Sequence, residues 1–499
     1  MSSSPREKPD SSYIFTREIF VRFLGLIYVM AFASLGAQIL GLNGSHGILP
    51  AAPVLKAVSL RYGLERFWLL PTIFWFNASD GFLFWACWAG AALGAAVALN
   101  VWPRLILFLL WVLYLSLVNV GQDFLGFQWD NLLLEAGFLA IFFAPGYIFH
   151  RRGPPEQPSP VVLWLLRWLL FRLMFESGAV KLLGGDETWR HLTALTYHYW
   201  TQPLPNVISW CIAQAPAWFH KLSALVVFVV EGIVPFLIFF PRPVRRWAFF
   251  ILAGFQIIIL LTGNYCFFNF LTILLCVTLL DDQFLKKYLP GGWIERMEKH
   301  FKEIEKPPRR WGEKFLAGCL AVLVGTVSVR QLLAFPFASL PFLKPVDQVV
   351  RVIEPFRTIN TYGLFSMMTT KRLEIIIQGS RDGQAWLDYE FKWKPGRLDR
   401  APGWAAPHQP RLDWQMWFAA LGEYRQNPWV LRFMARLLQN EKCVLDLLAS
   451  NPFPDAPPQY IRAVVYDYHF TNFQVQRQTG AWWERELVGP YTPVVDLKK

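Results

Sequence analysis

The sequence predicts a polytopic α-helical membrane bundle of about nine transmembrane helices, followed by a C-terminal α+β domain with a small antiparallel sheet. Three observations carry this expectation. Nearly uncharged stretches recur through the first 340 positions, close to the roughly 20 residues a helix needs to cross the hydrocarbon core. Lysine and arginine collect in alternate connections between those stretches, as membrane orientation requires. Beyond residue 340 the apolar pattern shortens to strand-like alternation, with turn residues between.

Of the 499 residues, 54% are apolar and 17% charged, where a soluble chain carries about 25% charged residues. The net charge of +12 does not point to nucleic acid, because the basic residues lie between apolar spans. The lipid bilayer is the partner this composition requires. Six cysteines occur without CxxC or Cys/His ligand spacing, which argues against a disulfide framework or a zinc site. Cys211 and Cys443 alone fall in segments expected outside, where they either pair or stay free.

The spans are expected at about 19–41, 81–99, 103–119, 131–145, 161–178, 221–240, 245–262, 267–280 and 314–333. The fourth and eighth are short. Gly153-Pro154-Pro155, Pro241-Arg242-Pro243 and Pro290-Gly291-Gly292 punctuate them. Ala31-Phe32-Ala33 resembles a signal-peptide cleavage site, but the apolar run continues to Leu42 and favours a retained helix. With the N-terminus inside, the cytoplasmic segments hold 18 Lys and Arg residues and the opposite loops six. The expected orientation is N-terminus in and C-terminus out. The outside loop 42–80 contains Asn43-Gly-Ser and Asn77-Ala-Ser, acceptors for glycosylation where the host supplies it. Its segment 53–62 places Val54, Leu55, Val58 and Leu60 on one side, as an interfacial helix does. The division falls into 1–340, the helical domain, and 341–499, the outside domain. In the latter, 374–378, 387–393, 460–473 and 483–488 read as strands, with Asp382-Gly383 as a hairpin turn. Segments 413–424 and 429–439 have helical spacing.

Ionisable residues within the membrane are costly and mark candidate sites. Arg167, Arg172, Glu176 and Lys181 cluster on and after the fifth span. Arg172 and Glu176 are four apart, on one helical face, and are expected to pair. Asp130, Asn131 and Glu135 open the fourth helix, where they cap it or join Arg172 in a buried charge network. Glu231, Gln256 and Asn269 are isolated polar residues expected to bond across helices. His191 and His198, two helical turns apart, read as headgroup-level histidines rather than a metal pair. No Walker A loop, GxSxG, HExxH or strand-borne GxGxxG occurs, so no cofactor or metal is expected. The C-terminal domain holds eight of the 24 tryptophans. Trp414, Trp417 and Phe418 share a helical face; core packing accounts for some of this aromatic set, and any exposed remainder forms a patch for other proteins.

Four segments together resemble the lipase maturation factor family: 121–145 (GQDFLGFQWDNLLLEAGFLAIFFAP), 166–205 with RWLLFRLMFESGAVKLLGGDETW, 261–282 (LTGNYCFFNFLTILLCVTLLDD), and the run from Asn360-Thr-Tyr-Gly through LEIIIQGSRDG to RLDWQMWFAAL. The resemblance implies a non-enzymatic membrane factor that assists folding and assembly of clients such as secreted lipases. It also implies the endoplasmic reticulum membrane, or the cytoplasmic membrane in a bacterial host. A second, local resemblance joins SGAVKLLGGDETW (177–189) to vitamin K-dependent gamma-carboxylases and their bacterial relatives. It implies the alternative of a membrane enzyme with Lys181 as base.

Overall fold

The computed structural model describes residues 12–146, 157–292, 294–295, 311–334 and 344–496. Among them, a helix occupies each expected span position. These are α1 (Ile14–Gly36), α2 (Asp80–Ala98), α3 (Pro103–Val120), α4 (Gln128–Phe143), α5 (Pro160–Leu183), α6 (Ala217–Gly232), α7 (Arg242–Thr262), α8 (Phe268–Val277) and α9 (Trp311–Ala334). Six are long and apolar enough to cross a membrane: α1, α2, α3, α6 with its 3₁₀ continuation to Phe239, α7 and α9. The chain is a multi-pass membrane protein. Helices α4 and α8 are shorter, with 16 and ten residues, and α5 carries four charged side chains among its 24 residues.

Local chemistry sets the helix ends. Ser79 caps α2 and Ser159 caps α5 through their side chains, and prolines 103 and 160 open α3 and α5, where the missing N–H costs nothing. The first turn of α1 is closed from a distance: Asp282 accepts from Ile14 N at 2.8 Å and Thr16 N at 3.2 Å, satisfying donors that a helix start leaves open. The first span ends earlier than expected. Helix α1 stops at Gly36 and the chain resumes as a short helix, Ile39–Asn43. Helices α1 and α2 cross so closely that a Cβ on Gly25 would meet Gly94 O at 2.6 Å, a small-residue contact of the kind that holds membrane helices together.

The C-terminal region contains α10 (Lys344–Ile353), α11 (Arg411–Ala419) and α12 (Pro428–Leu438). Its strands are β1 (Leu373–Ser380), β2 (Leu387–Asp388), β3 (Glu390–Phe391), β4 (Leu448–Ser450), β5 (Tyr460–Phe470), β6 (Trp483–Pro490) and β7 (Val495–Asp496). The main sheet runs β2-β1-β5-β6, with β7 also on β5, and its described pairings are antiparallel. The single strand expected over 387–393 is two. Tyr389 N donates to Ile377 O in the main sheet, whereas β3 pairs with β4 in a second small sheet. Strand character ends where Trp393 N and Lys394 N turn to Asp413 Oδ1, at 2.8 and 2.9 Å.

The boundary drawn at residue 340 lies outside the described residues. On either side of it the hydrophobic core is continuous: one buried cluster runs from Phe20 and Leu133 to Ile375, Met434 and Ile461. Arg372 locks β1 to the connection between α5 and α6, donating to Trp200 O and Pro203 O, each at 2.9 Å, and to Gln202 O, while pairing with Glu374. The glycosylation expectation is corrected at Asn43, which is buried with its Nδ2 on Leu49 O at 3.0 Å. Asn77 is exposed. Cys211 and Cys443 are free.

Candidate functional site

Two groups of buried polar side chains lie where the helices meet the C-terminal region. The first is centred on Asp130, in the first turn of α4. Its Oδ2 accepts from Gly126 N at 3.1 Å and Phe127 N at 3.2 Å, and its Oδ1 from Tyr114 OH at 2.5 Å. Arg411, at the start of α11, completes it with two bonds of 2.8 and 3.0 Å and a third to Phe124 O at 2.8 Å. This is the planar fork-to-fork geometry that arginine provides. Sequence reasoning missed Arg411, which lies 281 positions from its partner.

Beside it, Glu135 of α4 takes a hydrogen bond from Arg172 Nη2 of α5 and further bonds from Asn360 N at 2.9 Å and Tyr362 OH at 2.8 Å. Arg172 Nη1 donates to Asn360 O at 2.9 Å. The expected Arg172–Glu176 pair is therefore corrected: the guanidinium's ion-pair partner is Glu135, and Glu176 Oε2 instead accepts from Tyr362 N at 2.7 Å. The i,i+4 spacing places both side chains on one face, but the facing helix and the inserted 360–362 segment offer Arg172 two oxygens at better geometry. The four charges Asp130, Glu135, Arg172 and Glu176 are all buried. They clamp segment 357–363 and α11 onto α4 and α5.

The second group lines a cavity of about 410 Å³ between α5, α6, α7 and the connections that follow α5 and precede β1. Lys181 Nζ donates to Glu231 Oε2 at 2.7 Å and to Ser177 O at 3.1 Å, and lies 5.5 Å from the Trp189 ring centre. Gly178 makes this pair reachable, because a Cβ there would sit 3.0 Å from the Glu231 Cβ. Tyr265 OH donates to Gln202 Oε1 at 2.6 Å, leaving His198 Nε2, 3.1 Å away, as donor to the tyrosine oxygen. Burial, with the Lys181 charge, lowers the His198 pKa to about 4 and keeps the ring neutral. His191 instead faces Glu187 at the exposed surface, 3.1 Å away, so the two histidines share no partner. Gln256 and Asn269 bond to each other at 2.8 Å, across helices as their isolation implied.

The family regions coincide with these contacts. The lipase maturation factor transmembrane domain matches residues 15–287, and the lipase maturation factor C-terminal domain matches 358–493. The chain belongs to the lipase maturation factor family. A lipase maturation factor 2 from Gallus gallus is 36% identical, over 96% of this chain and 81% of its own length. The Homo sapiens lipase maturation factor 2 is 35% identical, over 96% and 82%. A lipase maturation factor 1 from Mus musculus is 36% identical over 100% of this chain and 90% of its own. No solved structure matches. In this lipase maturation factor family member, Asp130, Glu135 and Arg172 belong to the first matched region and Tyr362 and Arg411 to the second, so the buried bonds join the two.

The aromatic set considered for client contact divides between core and surface. Trp414 and Trp417 are only 3% and 9% exposed, whereas Phe418 is 40% exposed. Trp414 packs edge-on against Trp129 at 4.7 Å, and Trp417 Nε1 donates to Thr201 O at 2.8 Å. Their helical face points at the bundle, which the spacing alone cannot tell from a face pointing at solvent.

His408 gives this junction a pH dependence. Its Nδ1 lies 2.9 Å from Ser34 Oγ of α1, and burial with the nearby Arg411 and Lys392 charges lowers its pKa to about 4. An unfolded histidine titrates near ~6.5, so the unfolded chain binds the proton first as pH falls. This contribution is constant above about pH 6.5 and destabilises progressively between there and about pH 4. Replacing His408 with Gln is expected to flatten the fall in melting temperature over that window.

Proposed function

We propose that this membrane maturation factor assists the folding and assembly of secreted lipases, with its N-terminus cytoplasmic and residues 341–499 facing clients on the opposite side. The carrying observation is the match of both family regions, along nearly the whole chain, to relatives named lipase maturation factors. Sidedness rests on the 18 to six asymmetry of basic residues between alternate loops. In a eukaryotic host the membrane is that of the endoplasmic reticulum, and in a bacterial one the cytoplasmic membrane.

Client contact falls to what the C-terminal region leaves outward. Strand β6 ends the path of the main sheet, and Leu487 and Val488 on it are exposed, as is Phe418. An exposed edge with apolar side chains accepts an extended segment of another chain. Expression with a secreted lipase, in cells lacking a factor of this family, should raise lipase activity per mass of secreted lipase. Leu487→Asp and Val488→Asp, combined with Phe418→Ser, should reduce that gain severalfold without changing the factor's abundance or melting temperature. No gain with the unaltered protein overturns the reading. A change in the mass of the lipase would instead favour the enzyme alternative with Lys181 as base. Reporters fused after residue 300 and at residue 499 should lie on opposite sides; finding both on one side overturns the orientation.

A further inference from the structure

We propose that the cavity between α5, α6 and α7 binds an uncharged, hydroxyl-bearing lipid, with the hydroxyl at Glu231 and the chain against the apolar walls of α6 and α7. The volume of about 410 Å³ falls within the roughly 300–1,000 Å³ of small-molecule sites. Its mouth opens sideways. Leu222, Val226 and Ile258 line the cavity, yet are 52%, 47% and 58% exposed on the outer faces of two helices that span the membrane. Water has few partners along such walls, since an ordered water needs about 2–4 polar neighbours. Acyl chains of the surrounding bilayer meet the opening directly.

The polar end decides which lipid fits. Lys181 and Glu231 neutralise each other across 2.7 Å, and His198, also on the lining, is neutral. No net positive charge is left for a fatty acid carboxylate or a phosphate. Glu231 is 94% buried by its 6% exposure, and only its Oε2 is engaged among the described residues. The second carboxylate oxygen is an acceptor on the cavity wall, and a hydroxyl is the donor that answers it without adding charge. A hydroxyl donated to that open oxygen adds a hydrogen bond to a charged acceptor, so occupancy by a neutral alcohol is favoured over occupancy by an anion. Monoacylglycerols and long-chain prenols share this chemistry.

The test uses the full-length protein in nanodiscs, with photoactivatable analogues of a monoacylglycerol, a prenol and a fatty acid of matched chain length. The neutral probes should label peptides of α6 and α7 about tenfold more than the fatty acid, a difference of about 1.4 kcal/mol. The stronger of the two neutral probes identifies the source. Val226→Trp, at the half-exposed mouth, should abolish the labelling with the melting temperature unchanged. Glu231→Gln removes the carboxylate and leaves Lys181 cationic, so the order of labelling should reverse towards the fatty acid. Equal labelling by fatty acid and neutral probes in the unaltered protein, labelling insensitive to Val226→Trp, or labelling outside α6 and α7 each overturns the proposal. Should Glu231→Gln fail to fold, the Val226→Trp comparison decides alone.

Discussion

Replacing Arg411 with Met is expected to destabilise the protein by about 3–5 kcal/mol, because it strands Asp130 as a buried carboxylate without its counter-charge. The two side chains are 1% and 0% exposed, and the guanidinium makes two bonds to Asp130 at 2.8 and 3.0 Å. Denaturant unfolding in detergent reads the loss. A second expectation separates the pair from its members: Asp130→Asn combined with Arg411→Met should recover much of the stability, because the amide oxygen can still accept from Gly126 N and Phe127 N while its NH2 donates to the Tyr114 oxygen, and no charge is left buried. If the double variant is as unstable as Arg411→Met alone, the cost lies in lost packing. Limited proteolysis should show the same order, with cleavage between the two family regions fastest in Arg411→Met.

The bond between Arg172 and Glu135 predicts an effect of similar size. Either residue changed to Leu leaves the other charged and buried, again at about 3–5 kcal/mol. A double-mutant cycle over Arg172 and Glu135 should give a coupling near the upper end of the roughly 0.5–3 kcal/mol seen for contacting residues. The cycle over Arg172 and Glu176, whose carboxylate accepts from Tyr362 N, should give a smaller one. Larger coupling to Glu176 than to Glu135 would contradict the arrangement.

These two cases mark where reading the sequence stops. The spans were legible because a run such as that in α7 must be apolar over the width of a bilayer, whatever it touches. Strands β1, β5 and β6 were legible from alternation, and the turn at Asp382-Gly383 joins β1 to β2 where expected. The charged residues of α4 and α5 stood out because nothing else explains their cost in an apolar helix. Their partners were legible only in part: Glu135 was one of two readings for Arg172, and the partners of Lys181 and Asp130 were missed. Arg172 meets Glu135 over 37 positions, Lys181 meets Glu231 over 50 and Arg411 meets Asp130 over 281. Helical spacing ranks neighbours on the same helix only, so it favoured Glu176 for Arg172. Which aromatic residues pack and which stay outward was open for a related reason: amphipathic spacing finds the apolar face, and only the docked bundle says that Trp414 and Trp417 are covered and Phe418 is not.

The closure of α1 by Asp282 and of α4 and α5 by residues 360–362 and 411 has a consequence for synthesis on the ribosome. The first helix inserts while the carboxylate that closes its leading turn is still to be translated. Asp130, Glu135 and Arg172 are translated long before Asn360, Tyr362 and Arg411, so Asp130 waits for its counter-charge and Glu135 for two of its donors. The nascent bundle is thus held in an unfinished state, with open donors and uncompensated charge, until almost the entire chain exists. A message cut short before codon 360 yields a set of inserted helices that quality-control proteases can distinguish from the finished product, and its half-life in pulse-chase should be far shorter than that of the full chain.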